Sequence, residues 1–295
     1  MSGQVGRQEA PPGQIQRLKP GEFEAIRRLA YEKFGLDLRR GKEELVAARL
    51  SKRMRQGGFT SFAQYYEHVL GDNTGEALIG MIDALATNHT SFLRETAHFD
   101  FLRQQVLPGL RERPRVDLWS AACSSGEEPY SLAFTIRDQW GSEAFQKVRI
   151  LATDISTKAL TAAQNAAYPA ERLSAVPQAW LRRVLLRGDG RWKGWYRVKP
   201  EVRSQVEFAR LNLIEPFTHA TLFPVIFCRN VMIYFDKATQ EGLVKRLAAS
   251  LEPGGYLFIG HAESLTGVCH ELTYVRPAIY QKPGTAPKRG LPWTA

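Results

Sequence analysis

The sequence predicts an α/β protein: a parallel sheet covered by helices on both faces, preceded by an all-helical unit and carrying a small antiparallel insertion. Three observations predict it. Helical periodicity with no strand pattern runs from about residue 20 to 87. After about residue 95 short apolar runs alternate with helical stretches, the pattern of strands joined by crossover helices. Between residues 169 and 205 that alternation breaks into Gly-punctuated pieces rich in Arg, Trp and Tyr.

In the helical unit, the first helix puts Ile26, Leu29, Ala30 and Phe34 on one face. The second, from about Lys42 to Gln56, stops at Gly57-Gly58. A third follows Ser61, and a fourth carries Ala77, Leu78, Met81, Ile82 and Leu85. Strands are expected at Val116–Trp119, Val148–Thr153, Val206–Leu211, Val225–Phe227, Tyr256–Ile259 and, as one pattern, Thr273–Gln281. Helices are expected from Glu127 to Trp140, from Thr157, and from Lys237 to about Leu251 before Pro253-Gly254-Gly255. The insertion reads as an antiparallel hairpin or a three-stranded flap, with Trp195–Val198 as one strand. The domain expectation is a tail at 1–15, a helical domain at 16–87, a linker at 88–95, an α/β domain at 96–282 with its insertion, and a tail at 283–295.

The 295 residues are 44% apolar and 24% charged, within the ordinary globular range. No apolar run approaches the roughly 20 residues that span a bilayer, and Met1–Pro20 lacks a signal peptide's apolar core. Cys123, Cys228 and Cys269 form neither a CxxC pair nor a disulfide framework, so a reducing cytoplasm is the expected compartment. The net charge of +10 favours an anionic partner without choosing among nucleic acid, anionic membrane and acidic protein.

Ligands of open α/β sheets collect at the carboxyl ends of the strands. Here those ends carry the turn from Ser120 to Gly126 followed by Glu127 and Glu128, then Asp154, Asn212, and Arg229-Asn230. The small-residue turn lets a ligand approach the backbone, and an acidic residue after the second strand can accept hydrogen bonds from ribose hydroxyls. There is no GxGxxG, the glycine cradle a pyrophosphate needs, and two glutamates at the helix start would repel phosphates. A nucleoside ligand with an amino group fits better than a dinucleotide. Each piece also has a plain structural reading: a capping Asp, glutamates complementing a helix dipole, a loop salt bridge at Arg229.

Four strings settle the reading: Asn88–Glu95 (NHTSFLRE), Trp119–Ser131 (WSAACSSGEEPYS), Thr153-Asp154-Ile155, and Cys228–Phe235 (CRNVMIYF), with Gly260–Ser264 (GHAES) following. In this order they closely resemble the chemotaxis receptor methyltransferases, the CheR family, over about residues 20 to 282. The resemblance implies a class I Rossmann-like methyltransferase sheet, an N-terminal helical domain and a small β-subdomain. It implies S-adenosylmethionine as cofactor, S-adenosylhomocysteine as product, no metal, and methyl-ester formation on receptor glutamates. Matched by motif, Asn88, Thr90 and Arg94 resemble linker residues that close over the cofactor. Glu128, Asp154, Asn212, Leu213, Arg229 and Asn230 match its other cofactor contacts. Tyr234 matches a tyrosine near the reacting methyl, although a core aromatic would read the same way. Arg94 is expected to aid catalysis as well. Glu128 is preferred over Glu127 on register.

A glutamate carboxylate is ionised at neutral pH, with a reference pKa of about 4.3, so its attack on a sulfonium methyl needs no general base. A protein doing this chemistry mainly supplies alignment. The second helix carries Arg49, Lys52, Arg53 and Arg55 opposite Val46, Leu50 and Met54. That is either a solvated basic face or, as the resemblance implies, a docking surface for acidic receptor helices. The insertion resembles a β-subdomain with which some family members bind a receptor C-terminal peptide by strand addition; the residues leave this open. Neither nucleic acid nor membrane insertion is expected. The rival readings are a methyltransferase of RNA or a small molecule, which lacks a stacking platform, and a non-catalytic adaptor, which would have lost the cofactor residues.

Overall fold

The computed structural model describes residues 15–85 and 90–284. Asn88 therefore lies outside the described residues, as do nearly all of the two expected tails. The chain divides into two units, residues 1–88 and 89–295.

Among the described residues the first unit has four helices: α1 Pro20–Phe34, α2 Glu43–Gln56, α3 Phe62–Gly71 and α4 Glu76–Leu85. Their ends follow local chemistry. Pro20 opens α1 where no amide donor is needed, Glu22 accepts the Lys19 N–H at 2.8 Å, and Gly35 closes the helix with φ 69°. Ser61 caps α3 by accepting the Gln64 N–H at 3.3 Å. Ile26, Val46, Leu50, Met54, Phe62, Tyr65, Met81 and Leu85 make a buried core in which helical spacing is evident.

The second unit is built on strands β1 Val116–Ala121, β2 Val148–Asp154, β3 Ala167–Pro169, β4 Leu185–Arg187, β5 Trp195–Val198, β6 Val206–Arg210, β7 Phe223–Cys228, β8 Leu251–Phe258, β9 Thr273–Arg276 and β10 Ile279–Gln281. Helices α5 Thr96–Phe101, α6 Leu107–Leu110, α7 Glu127–Phe145, α8 Thr157–Asn165, α9 Gln178–Val184, α10 Pro200–Arg203 and α11 Lys237–Ser250 connect and cover them. The main sheet runs β6-β2-β1-β7-β8-β10-β9, parallel from β6 to β8. It is mixed, because β10 is antiparallel to both β8 and β9. The last expected strand, Thr273–Gln281, is thus two: the chain reverses after Pro277 at Ala278, φ 62°, folding the apolar pattern into a hairpin.

Side-chain alternation divides the core. Val116, Leu118, Val225, Phe227 and Phe258 face α7 and the segment from α5 to α6. Trp119, Ala121, Ile226, Cys228 and Leu257 face α11, which contributes Leu243, Val244 and Leu247. The expected insertion is a separate three-stranded antiparallel sheet in the order β3-β5-β4, beginning two residues earlier than its composition suggested. Parallel pairing brings the ends of β6, β2, β1 and β7 side by side, which assembles the site.

Candidate active site

The loops after β1 and β7 and the segment leading into α5 have an unusual backbone. Seven described non-glycine residues have positive φ, and five of them lie here: Leu93 (52°), Glu95 (59°), Ala122 (61°), Ser124 (49°) and Asn230 (59°). Such conformations persist only where surrounding contacts impose them, and they concentrate at functional sites. The contacts are visible. Asp154 takes the Ser124 N–H at 2.8 Å on one carboxylate oxygen and the Ser156 N–H at 2.9 Å on the other. The Cys123 N–H reaches the Thr153 carbonyl at 2.9 Å, so the β1 turn is tied to the end of β2. Gly126 opens α7 with φ 95°; a Cβ there would lie 2.8 Å from both the Ala163 Cβ and the Tyr168 hydroxyl.

The two glutamates that follow diverge. Glu127 is fully buried, accepts from the Ser125 hydroxyl at 2.8 Å and pairs with Arg172 at 2.5 Å; burial raises its pKa. Glu128 points to the neighbouring strand ends, accepting from the Ser120 hydroxyl at 2.7 Å and from Arg229 at 3.0 Å. Burial raises its pKa too, against the opposing charge of Arg229.

Arg229 is the hub. Its side chain is 2% exposed, with one nitrogen on Glu128 and the other 3.0 Å from Glu95 and 2.5 Å from the Arg94 carbonyl. Phe99 and Phe227 flank the guanidinium at 5.9 and 5.8 Å from their ring centres. A cation this buried needs such partners, so Arg229 orders the site from within. Glu95 accepts also from the His261 N–H at 3.1 Å and the Asn230 amide at 3.4 Å. Burial pushes its carboxyl up, but Arg229 and these bonds win, and it lies below its ordinary value. Beside it, burial and Arg229 push His98 down to about 3.

Asn230 is placed by a second acid. Glu263 accepts backbone N–H groups from Asn230 (2.9 Å), Gly260 (2.5 Å) and Ile233 (3.2 Å), fixing the loop that leads to Tyr234. Tyr234 is half-buried, in the short turn Met232–Tyr234. Gly260 is required by proximity: a Cβ would fall 2.2 Å from the Asn230 amide nitrogen and 2.9 Å from its backbone nitrogen. Asn212, just past β6, donates to Glu215 at 2.8 Å, and the Leu213 carbonyl accepts from Arg246 at 2.8 Å. Arg94 is half-buried before α5, and the Thr90 carbonyl accepts from Arg172 at 3.4 Å.

The structure thus brings Glu128, Asp154, Asn212, Leu213, Arg229 and Asn230 to adjacent strand ends, with Arg94 joined through its carbonyl. Glu95 and Glu263 were missed. Both stand inside the family-like strings, but nothing in a one-dimensional pattern says that an acid braces a distant arginine or loop. In the helical unit the basic set splits. Arg49 donates to the Leu85 carbonyl, and Arg53 lies over Gly80 of α4, where a Cβ would overlap its guanidinium. Lys52 and Arg55 are exposed.

A parallel sheet with carboxylates and amides at adjacent strand ends is an arrangement for holding a nucleoside-bearing ligand. The comparisons narrow that reading. Residues 88–279 match the family model "CheR methyltransferase, SAM binding domain", and residues 21–86 match "CheR methyltransferase, all-alpha domain". Chemotaxis protein methyltransferase 2 of Pseudomonas aeruginosa is 41% identical over 260 residues, 88% of this chain and 92% of that protein. The chemotaxis protein methyltransferases of Borreliella burgdorferi (37%; 88% and 94% covered) and Salmonella typhimurium (36%; 89% and 90% covered) are similar over as much of this chain. The chain belongs to the CheR methyltransferase family.

Proposed function

We propose that this protein transfers a methyl group from S-adenosylmethionine to glutamate side chains of bacterial chemoreceptors, forming methyl esters and S-adenosylhomocysteine in the cytoplasm. The observation that carries the reading is the polar set at four consecutive strand ends, braced by the Glu95–Arg229–Glu128 clamp. The residues suit the cofactor. The turn is half-exposed at Ala122, Ser124 and Ser125, where a ligand can approach it, and Glu128 keeps lone pairs beyond those used by Ser120 and Arg229 for a ligand ammonium. Asp154 is anchored to two backbone amides and Asn212 to Glu215, so both present fixed acceptors for a nucleoside. When bound, S-adenosylmethionine supplies a methyl group on a positively charged sulfur.

This chain's residues then have alignment as their task. Asn88, Thr90, Leu213 and Asn230 complete the cofactor contacts, while Arg229 acts through Glu128. Arg94 and Tyr234 hold the substrate carboxylate or the cofactor without moving a proton, since the carboxylate arrives ionised. Removing water favours the reaction, because an anion and a cation neutralise each other. No metal is assigned to the chemistry. Lys52 and Arg55 contact the acidic methylation helices of the receptor, with Arg49 and Arg53 behind them. A receptor C-terminal peptide could add to the edge of the small sheet. The test is transfer of labelled methyl to receptor cytoplasmic fragments. Base-labile label is expected; base-stable label, or none, rejects the reading.

A further inference from the structure

His98 is 1% exposed, and neither ring nitrogen has a hydrogen-bond partner in the protein. Leaving a buried polar atom unpartnered is unfavourable, because it has lost water without gaining a replacement, so such a group calls for a ligand. Two further donors converge on it. The Glu95 carboxylate lies 3.5 Å from His98 Nδ1 and 4.0 Å from His261 Nε2. The two imidazoles stand 4.7 Å apart and nearly perpendicular, at 82°. One donor atom from each of the three residues lies within 4.8 Å of the others. We propose that Glu95, His98 and His261 form a transition-metal site of the Zn²⁺ type, set against the candidate cofactor site and separate from its chemistry.

Two imidazoles and one carboxylate are a zinc donor set, with a fourth position left for water. Tetrahedral bonds of about 2.0–2.2 Å place ligand atoms roughly 3.4 Å apart. The observed separations are close to this for Glu95 and His98, and His261, 47% exposed, has room to swing inward. The charges allow it. Glu95 and Glu128 share one cation, Arg229, so the cluster has a formal surplus of one negative charge. The same Glu95 oxygen that would ligate the metal holds Arg229. On the proposed cofactor reading, metal binding therefore loosens the clamp and weakens S-adenosylmethionine binding.

The probes are Zn²⁺ by calorimetry and Co²⁺ by visible spectroscopy, each added alone to the cofactor-free full chain. One ion per chain and tetrahedral cobalt bands are expected. His261→Ala, a half-exposed change whose folding thermal melting checks, should lose at least tenfold in affinity, and Cys269→Ser none. No binding, unchanged affinity in His261→Ala, or a thiolate–cobalt band lost in Cys269→Ser overturns the site. A second titration measures S-adenosylmethionine with and without saturating Zn²⁺. Several-fold weaker binding with zinc is expected, and equal affinity overturns the coupling. If the metal-free chain binds no cofactor at all, the proposed function falls and the metal titration still decides the site.

Discussion

Glu95→Gln isolates the electrostatic part of the clamp, because it keeps shape and one acceptor while deleting the charge. Arg229 is almost fully buried and holds Glu95 and Glu128 at 3.0 Å each. Removing the sole partner of a buried charge costs about 3–5 kcal/mol. Here Glu128 and the Arg94 carbonyl remain, so the loss is nearer that of one charged hydrogen bond, about 2 kcal/mol. For a unit the size of residues 89–295, each kcal/mol shifts Tm by about 2–4 °C. The variant should then melt about 4–8 °C lower at pH 7, by circular dichroism. Because the folded protein holds Glu95 below its ordinary pKa, its contribution is complete above about pH 4.3 and disappears as pH falls through the lower folded value. The gap between wild type and variant should therefore narrow in acid. Equal Tm at pH 7, or a gap that widens toward acid, refutes the clamp.

Gly260→Ala drives a Cβ against the backbone nitrogen of Asn230, which cannot yield as a flexible side chain would. S-adenosylmethionine affinity by calorimetry should drop at least tenfold, and an unchanged Kd rejects the placement of Asn230. Lys52→Glu with Arg55→Glu should lower kcat/KM for receptor methylation about tenfold at low salt while cofactor Kd stays constant. Equal kinetics at low salt would remove the docking role. Burial raises the thiols of Cys123 and Cys228 well above their ordinary values, whereas Cys269 is exposed. A thiol reagent at neutral pH should label one cysteine in the native chain and three after denaturation; fast labelling of two or three native thiols contradicts that burial.

Much of this architecture was legible in one dimension. Helical periodicity marked the four N-terminal helices, and apolar runs ending in Asp154, Asn212 and Arg229-Asn230 marked the parallel strands, because local propensity and side-chain alternation are properties of short segments. The quoted strings carried the family and, with it, the cofactor. Tertiary structure decided what depends on residues far apart in the chain. The hairpin of β9 and β10 depends on a reversal at Ala278 that apolar patterning does not register. That Arg229 is also held between Glu95, 134 positions earlier, and Glu128, 101 positions earlier, is a matter of packing. Arg49 and Arg53 looked equivalent to Lys52 and Arg55 on a helical wheel, and only the packing of α4 against α2 separates the first pair from the solvent-facing second. A sequence states which charges exist; which of them meet water, and which meet each other, is fixed by the distances folding creates.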